Sequence, residues 1–271
     1  MNFIKGPIPP IPPIIILHGG WVSVCYTDYD IKLRLNPKTM RRSNTFIIHD
    51  PDGRLLKRHG KTFRRNRYNV KVLNLADIRI STRYSPILNI KGNSGITNLA
   101  AAIIAGTKGL GMPGDIDFIT HETLLLTSLI GFLHYEVQSF EQTFSSILML
   151  LESMKTEDDW HDYKTAVDFM FEAIAEENTP EHYAVQKLKD FKEAAGHEAQ
   201  QKVIASCISR LSPFSTAEMV DFMSDDELVL DRLTFPNIAL FVIDGEADEQ
   251  IRFLTPLMYS QLFDLRDRRD A

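Results

Sequence analysis

Three short runs of consecutive apolar residues predict β-strands that are buried on both faces. They lie near residues 46–49, within 68–75 and within 235–244, and their β-branched and aromatic residues suit a strand that is covered on both sides. About 20 residues with a helical pattern separate the first two strands, as in a right-handed, parallel strand–helix–strand unit. The pattern therefore predicts an α/β protein with a parallel sheet.

Between the second and third strands, from about residue 93 to 223, apolar residues recur at spacings of three and four, which is the period of amphipathic helices. The predicted helices span 94–106, 117–137, 142–154, 164–177, 182–195 and 198–211. Ser94 is the candidate N-cap of the first of them. Another helix is predicted over 248–269, with a kink at Pro256. An all-helical block is thus inserted between pieces of one sheet.

Prolines at positions 7, 9, 10, 12 and 13 predict a polyproline II arm that leads into a short strand. The same prolines exclude the apolar helix of a secretory signal. No stretch approaches the roughly 18 apolar residues that a membrane span requires. We therefore expect a cytoplasmic chain without a membrane span.

The composition is that of a globular protein, with 44% hydrophobic and 24% charged residues among 271. Cys25 and Cys207 stand far apart, which excludes a thiolate zinc cluster and a disulfide framework. Residues 32–71 hold thirteen Lys or Arg and two Asp, a local net charge of +11. Because the whole chain carries −6, its remaining residues carry −17. This asymmetry predicts one basic face on an acidic body.

Much of the positive charge falls on one predicted helix, "RLLKRHGKTFRRN", where basic residues recur at intervals of three and four and so share a face. The candidate nucleic-acid-binding residues are Arg54, Lys57, Arg58, Lys61, Arg64, Arg65 and Arg67. Such a face could neutralise several phosphates. The alternative is a solvated helix that complements the acidic part of the protein.

The turn Asp50-Pro51-Asp52-Gly53 follows the first strand, and ligands of open α/β sheets bind beyond the carboxyl ends of strands. Asp50, Asp52 and Gly53 are therefore candidate residues near a nucleotide, with a simple bend as the alternative. The chain contains no G-x-x-x-x-G-K-[ST] phosphate loop, however.

The third strand ends in "DGEADE", which makes Asp244 and Asp248 weak candidates for Mg²⁺ ligands. The more ordinary interpretation is an acidic turn that caps the next helix. None of the eight histidines forms an i, i+4 metal pair, and no serine lies in a G-x-S-x-G pattern. We therefore predict no catalytic residue and no metal site.

The order of these pieces resembles the coupling ATPases of type IV secretion systems in conjugation, of the TraG/TraD type. The resemblance rests on "NTFIIHDPDGRLLKR", "RYNVKVLNLADIRISTRYSPI", "ETLLLTSLIGFLHYE", "HYAVQKLKDFKEAAG", "RLSPF" and "LTFPNIALFVIDGEADEQIRFLTPLMYSQLFDL", and it covers roughly residues 44–266. It implies a RecA-like motor domain with an inserted all-α domain. For the complete family it implies ATP and Mg²⁺ as cofactors, and a hexamer at the membrane that delivers DNA–relaxase substrates to the secretion channel.

On this resemblance the chain has four segments. Residues 1–42 form the proline-rich arm and a short strand, 43–92 the first segment of a partial RecA-like sheet, 93–231 the inserted all-helical domain, and 232–271 the return strand and helix. The expected partners are transfer DNA, the relaxase or secretion-substrate complex, and further copies of the chain as a homo-oligomer. The expected location is the cytoplasm, at the inner face of the membrane through these partners.

The sequence also departs from the family. The phosphate loop expected before Ser43 is not in "CYTDYDIKLRLNPKTMRR", and Asp52 and Arg54 stand where the family has Lys and Glu. The chain thus looks like an internal piece or a degenerate relative. The leading hypothesis is a module that engages transfer DNA or its relaxase complex without ATPase activity. The alternatives are a nucleotide-binding ATPase fragment with a residual acidic metal site, and a decayed product without a stable fold.

Overall fold

The structure is a computed structural model, and it describes residues 14–18, 21–25, 44–156, 164–177, 181–233 and 237–267. The predicted proline-rich arm lies outside these residues. The described residues divide into two compact units. A sheet unit takes residues from 14–82, 228–247 and 262–267, and a helical unit takes residues 83–227 and 248–261. The boundaries of the four predicted segments remain a prediction.

The sheet unit is built on five strands. They are β1 (Ile14–His18), β2 (Trp21–Cys25), β3 (Asn44–His49), β4 (Asn69–Asn74) and β5 (Ile238–Ile243). Their order across the sheet is β2-β1-β3-β5-β4. β3, β5 and β4 run parallel, whereas β1 pairs antiparallel with both β2 and β3. The predicted α/β class with a parallel sheet is confirmed, and the β1–β2 hairpin adds a second strand to the one predicted there.

Helix α1 (Arg54–Arg65) connects β3 to β4, as the strand–helix–strand pattern predicts. The two strands do not pair with each other, because β5 lies between them. In the register, Ile47 faces Leu240 and Leu73 faces Val242. All six residues of β5 are buried, which explains its unbroken apolar run.

The core on the α1 side of the sheet is aromatic. Phe63 of α1 contacts the rings of Phe46, Tyr68 and Phe241 edge-on, at centroid distances of 5.2, 5.4 and 5.7 Å. Edge-on contacts at this spacing are the favourable arrangement for aromatic pairs. Because Phe63 is fully buried, this cluster fixes which side of α1 faces the sheet.

The helical segment of the chain lies between β4 and β5. Its helices are α2 (Gly92–Gly106), α3 (Ile116–Glu136), α4 (Phe144–Ser153), α5 (Ala166–Glu177), α6 (Tyr183–Ala194), α7 (His197–Leu211), α8 (Ala217–Met223) and α9 (Leu230–Leu233). After β5 come α10 (Glu249–Arg252) and α11 (Leu254–Asp267). The six helices predicted over 94–211 are all present.

Two helix ends differ from the sequence prediction. Ser94 lies within the first turn of α2 and does not cap it, because the chain turns two residues earlier at Gly92, whose φ of 67° suits glycine. The predicted kink at Pro256 is replaced by a break at Phe253, between α10 and α11. Pro256 then falls in the first turn of α11, where a helix needs no amide donor.

The long apolar helix α3 is the centre of the helical unit. Every residue from 125 to 133 is buried, and the main neighbours of α3 are α6, α2 and α7. We expected from the sequence that no segment is long and apolar enough to span a membrane, and for α3 this was wrong. Among the helices of the described residues, α3 alone has the required length and apolar composition. More than half of its apolar stretch is buried within the protein, as in a core helix.

A buried ion pair joins α3 to α7. The Glu122 carboxylate accepts hydrogen bonds from Arg210 Nε at 2.7 Å and Nη2 at 2.9 Å. Ser206 Oγ donates to the same carboxylate at 2.6 Å and accepts from the Met112 amide at 2.7 Å. Arg210 Nη1 donates to the Thr107 carbonyl at 3.0 Å. The network thereby holds the loop before α3 against α7.

Candidate nucleic-acid interface

Helix α1 has one buried side and one basic side. His59, Gly60 and Phe63 are buried, and Leu55 and Leu56 pack against the aromatic core. The opposite side is exposed and carries six cations, which we call the basic face. Its residues are Arg54, Lys57, Arg58, Lys61, Arg64 and Arg65. At 100° per residue these six lie within about a third of the helix circumference.

The basic face opposes the intrinsic stability of α1. The helix contains no Asp or Glu, so its cations face one another at i, i+3 and i, i+4, where each like-charge pair is unfavourable by about 0.2–0.5 kcal/mol. Arg54 and Lys57 also lie near the positive end of the helix dipole. Only Arg64 and Arg65, in the last turn, lie where the dipole favours a cation. Helix stability alone does not account for this charge pattern.

The start of α1 is capped by the turn that precedes it. The Asp50 carboxylate accepts hydrogen bonds from the Leu55 amide at 3.0 Å and the Leu56 amide at 2.7 Å. The Arg54 amide donates to Asp52 Oδ1 at 3.2 Å, and the Gly53 amide donates to the Asp50 carbonyl at 3.0 Å. These four amides are the ones that a helix leaves without an internal partner. All four are therefore satisfied by the turn itself.

The three predicted nucleotide-proximal residues have different roles in this cap. Asp50 is 1% exposed. Asp52 is exposed and pairs with Arg54, and the hydrogen bond from the Arg54 amide is the main reason that the pKa of Asp52 is lowered. Gly53 is the N-cap with φ 68°, a conformation that glycine adopts without strain. Their proximity to a nucleotide stays a prediction.

Arg67 lies beyond the end of α1. Its φ is 63° and its amide donates to the Arg64 carbonyl at 3.0 Å, so it occupies the left-handed position that often ends a helix. Its side chain is exposed. All seven predicted nucleic-acid-binding residues are thus exposed, six of them on one helix side.

Two of the parallel strands end in a polar pair. His49 at the end of β3 and Asp244 after β5 are joined by a hydrogen bond of 2.8 Å between Nε2 and Oδ1. The loops beyond them are close, since the Gly245 amide donates to the Pro51 carbonyl at 3.0 Å and a Cβ on Gly245 would lie 2.8 Å from that oxygen. No local pattern in the sequence indicates this pair, because the residues are 195 positions apart and meet only in the register of the sheet.

The second weak metal candidate, Asp248, is the N-cap of α10, and its carbonyl accepts from the amides of Ile251 and Arg252 at 3.1 Å each. Its side chain makes no capping hydrogen bond. Across the described residues, no group of three or more His, Cys, Asp or Glu is placed to hold a metal ion.

The stretch Gly60-Lys61-Thr62 has the same letters as the end of a phosphate-binding loop. It lies in the interior of α1, where backbone amides donate to carbonyls of the preceding turn and cannot surround a phosphate. A Cβ on Gly60 would lie 3.1 Å from Leu56 Cδ1, which gives this glycine a packing role.

Comparison with known proteins adds one match. A family model described as "Type IV secretory system Conjugative DNA transfer" matches residues 37–271. No curated protein matches the chain. The matched region includes the basic face, its capping turn, the helical segment and β5.

Proposed function

The chain belongs to the conjugative DNA transfer family of type IV secretory systems, as its resemblance indicated, and we propose that it engages transfer DNA through the basic face of α1. One observation carries the proposal: six cations share an exposed side of α1, while the other side is fixed against the aromatic core of the sheet. A rigid basic surface of this kind is suited to the phosphate backbone.

The chemistry of the basic face favours contact with phosphates over recognition of bases. Arg and Lys supply its polar groups, and the aromatic side chains nearest to it, Phe63 and Tyr68, are buried in the core. Phosphate contacts position a protein on DNA but carry no sequence information. We therefore infer binding that is independent of sequence and strongly dependent on salt.

We further propose that the sheet unit is a partial RecA-like sheet and that the helical segment is an insertion in it. The parallel order β3-β5-β4 supports this, as does the position of α2–α9 between β4 and β5 in the chain. The helical segment would contact the protein that accompanies the DNA, a relaxase or secretion-substrate complex. The site of action would be the cytoplasmic face of the membrane.

The proposal includes no ATP hydrolysis by this chain. One support is the lack of a phosphate-loop sequence. A second is that the capping turn already accepts hydrogen bonds from the four amides at the start of α1, which is where an anion would otherwise bind. The alternative is a residual nucleotide site. The meeting of His49 and Asp244 at the carboxyl ends of β3 and β5 favours this alternative.

Thermal unfolding separates the two functions. The chain is melted alone, with Mg-ATP, and with short single- and double-stranded DNA at two salt concentrations. A ligand that binds only the folded state raises the melting temperature, and the shift grows with the ratio of free ligand concentration to Kd. We expect a shift with DNA that is larger at low salt, and no shift with Mg-ATP. A shift with Mg-ATP that disappears in Asp244→Ala would contradict the proposal and favour the nucleotide site.

A further inference from the structure

The cations of the basic face follow a regular pattern along α1. Lys57 and Arg58 are one consecutive pair of cations, and Arg64 and Arg65 are another. The two pairs are seven residues apart, which is about 10.5 Å, or two helical turns. Because consecutive residues differ by about 100° around a helix, the members of each pair diverge to opposite borders of the basic face.

The four cations therefore form two rows along α1. One row holds Lys57 and Arg64, and the other holds Arg58 and Arg65. The rows lie about 100° apart around the helix, and Lys61 falls midway between them. Each of the six residues of α1 outside the basic face is buried or partly buried. The exposed side of α1 thus carries positive charge along both borders.

The packing of α1 presents both rows at once. Phe63 contacts three aromatic rings of the core edge-on, and the Asp50 carboxylate holds the first turn. Turning α1 about its axis to bring one row forward would break these contacts. A ligand of the whole basic face must therefore place phosphates on both sides of the helix.

The major groove of a B-form duplex has this shape. It is about 12 Å wide and admits an α-helix, whereas the minor groove is only about 6 Å wide. An α-helix with its side chains is about 10–12 Å across, so the phosphate backbones of the two strands lie along its two sides in the major groove. The major groove of A-form RNA is too deep and narrow for the same contact.

A single strand fits the basic face less well. Proteins bind single strands by stacking bases on aromatic side chains along a cationic groove. In residues 44–82 and 237–247, the Phe, Tyr and Trp side chains are Phe46, Phe63, Tyr68 and Phe241, and all four are buried. A single strand also has one backbone and so meets one row of cations.

We propose that α1 lies in the major groove of duplex DNA, with one row of cations on the phosphates of each strand. Lys57 and Arg64 contact one strand, and Arg58 and Arg65 contact the other. The flexible Lys61 side chain turns to either. Contacts to phosphates keep the binding independent of sequence. The inference rests on the proposed function, because it specifies which form of DNA the basic face binds and in which groove.

A duplex in which 5-hydroxymethylcytosine carries glucose tests the groove. The sugar projects from C5 of the base, on the major-groove side, and leaves the charge of the backbone unchanged. Fluorescence anisotropy at low salt gives the affinity of the full chain for this duplex, for the unmodified duplex and for one of its single strands. We expect the glucosylated duplex and the single strand to bind at least about tenfold more weakly than the unmodified duplex, because each loses phosphate contacts.

Two row variants give the second readout. Lys57→Gln with Arg64→Gln removes one row, and Arg58→Gln with Arg65→Gln removes the other. Each variant is the matched control of the other, because both lose two exposed cations. We expect the slope of log affinity against log salt on the unmodified duplex to fall by about 2 in both variants. Both should stay folded, since they relieve repulsion within the basic face.

The outcomes separate this inference from the proposed function. Equal affinity for the glucosylated and unmodified duplexes overturns the groove inference and leaves DNA binding by the basic face in place. A single strand that binds as tightly as the duplex, or a slope that falls in only one row variant, has the same meaning. A parent chain without salt-dependent affinity for any of the three DNAs overturns both.

Discussion

The Asp50 carboxylate accepts a hydrogen bond from the Leu56 amide at 2.7 Å, and through this contact the end of β3 fixes the start of α1. The same carboxylate also accepts a hydrogen bond from the Leu55 amide. Because Asp50 is buried and α1 carries the basic face, the cap determines where six cations are held.

Removal of this cap should destabilise the sheet unit. Asp50→Ala leaves two amides without a partner, and we expect a loss of about 2 kcal/mol in the free energy of unfolding. Asp52→Asn, at an exposed position, should change the free energy of unfolding far less. Urea unfolding of both variants measures the difference. Equal stability of Asp50→Ala and the parent chain would show that the cap does not stabilise α1.

Reversing one charge on the basic face should separate stability from function. Lys61→Glu converts the pairs with Lys57, Arg58, Arg64 and Arg65 from repulsive to attractive. Since each pair changes by about 0.4–1 kcal/mol, we expect the free energy of unfolding to rise by about 1.5 kcal/mol or more at low salt. DNA binding should weaken in the same variant, because a phosphate contact becomes a repulsion. Lys61→Gln, which removes only the repulsion, should be intermediate in both properties. A less stable Lys61→Glu that binds DNA normally would contradict the account.

The ion pair between Glu122 and Arg210 should be far more sensitive to substitution than exposed pairs are. Glu122→Gln leaves the buried guanidinium without its counter-charge, for which we expect a loss of about 3–5 kcal/mol. The matched exposed pair is Glu198 with Lys202, at 2.6 Å. Because solvent screens this pair, Glu198→Gln should have a far smaller effect on the free energy of unfolding. Chemical unfolding of the two Glu→Gln variants compares them. Similar losses in both would indicate that Arg210 reaches solvent.

Asp168 should give the helical unit an acid-sensitive contribution. Burial raises the pKa of its carboxyl, but the hydrogen bonds from Lys192 and Thr165 outweigh burial, and the net pKa lies below its ordinary value. A lowered pKa in the folded state stabilises the protein above the unfolded pKa of about 3.9, and this contribution is lost as the pH falls through the folded pKa.

The test is the difference in unfolding free energy between the parent chain and Asp168→Asn across pH. We expect a difference of about 1.5–3 kcal/mol at neutral pH that shrinks below about pH 4. Asp190→Asn, at an exposed position, is the control and should give a small, flat difference. A difference for Asp168→Asn that stays constant through pH 3 would exclude the ion pair with Lys192 as its source.

The sequence predicts features that depend on neighbours along the chain. Local periodicity predicts the buried strand β5, the helix α1 and its basic face. The bend at residues 50–53 follows from turn chemistry, but the cap that Asp50 forms on α1 is seen only in the structure. The features that the sequence does not predict arise from residues far apart. The pair His49–Asp244 needs the parallel register of β3 and β5, and the pair Glu122–Arg210 needs α3 packed on α7. On a helical wheel Glu122 is simply one polar position near the start of an apolar helix.

The central claim is that the basic face of α1 binds DNA phosphates. The most direct measurement is the affinity for a fluorescent DNA duplex of arbitrary sequence, determined by anisotropy over a series of salt concentrations. Lys57→Gln with Lys61→Gln removes two cations of the basic face. Lys189→Gln with Lys202→Gln on the helical unit removes two exposed cations and changes the net charge equally.

Each phosphate contact contributes about 0.9 to the slope of log affinity against log salt. We therefore predict that the slope of the basic-face variant falls by about 2, with weaker binding at every salt concentration. The control variant should keep the slope and affinity of the parent chain. Equal losses in the two variants, or an unchanged slope in the first, would contradict a DNA interface on α1.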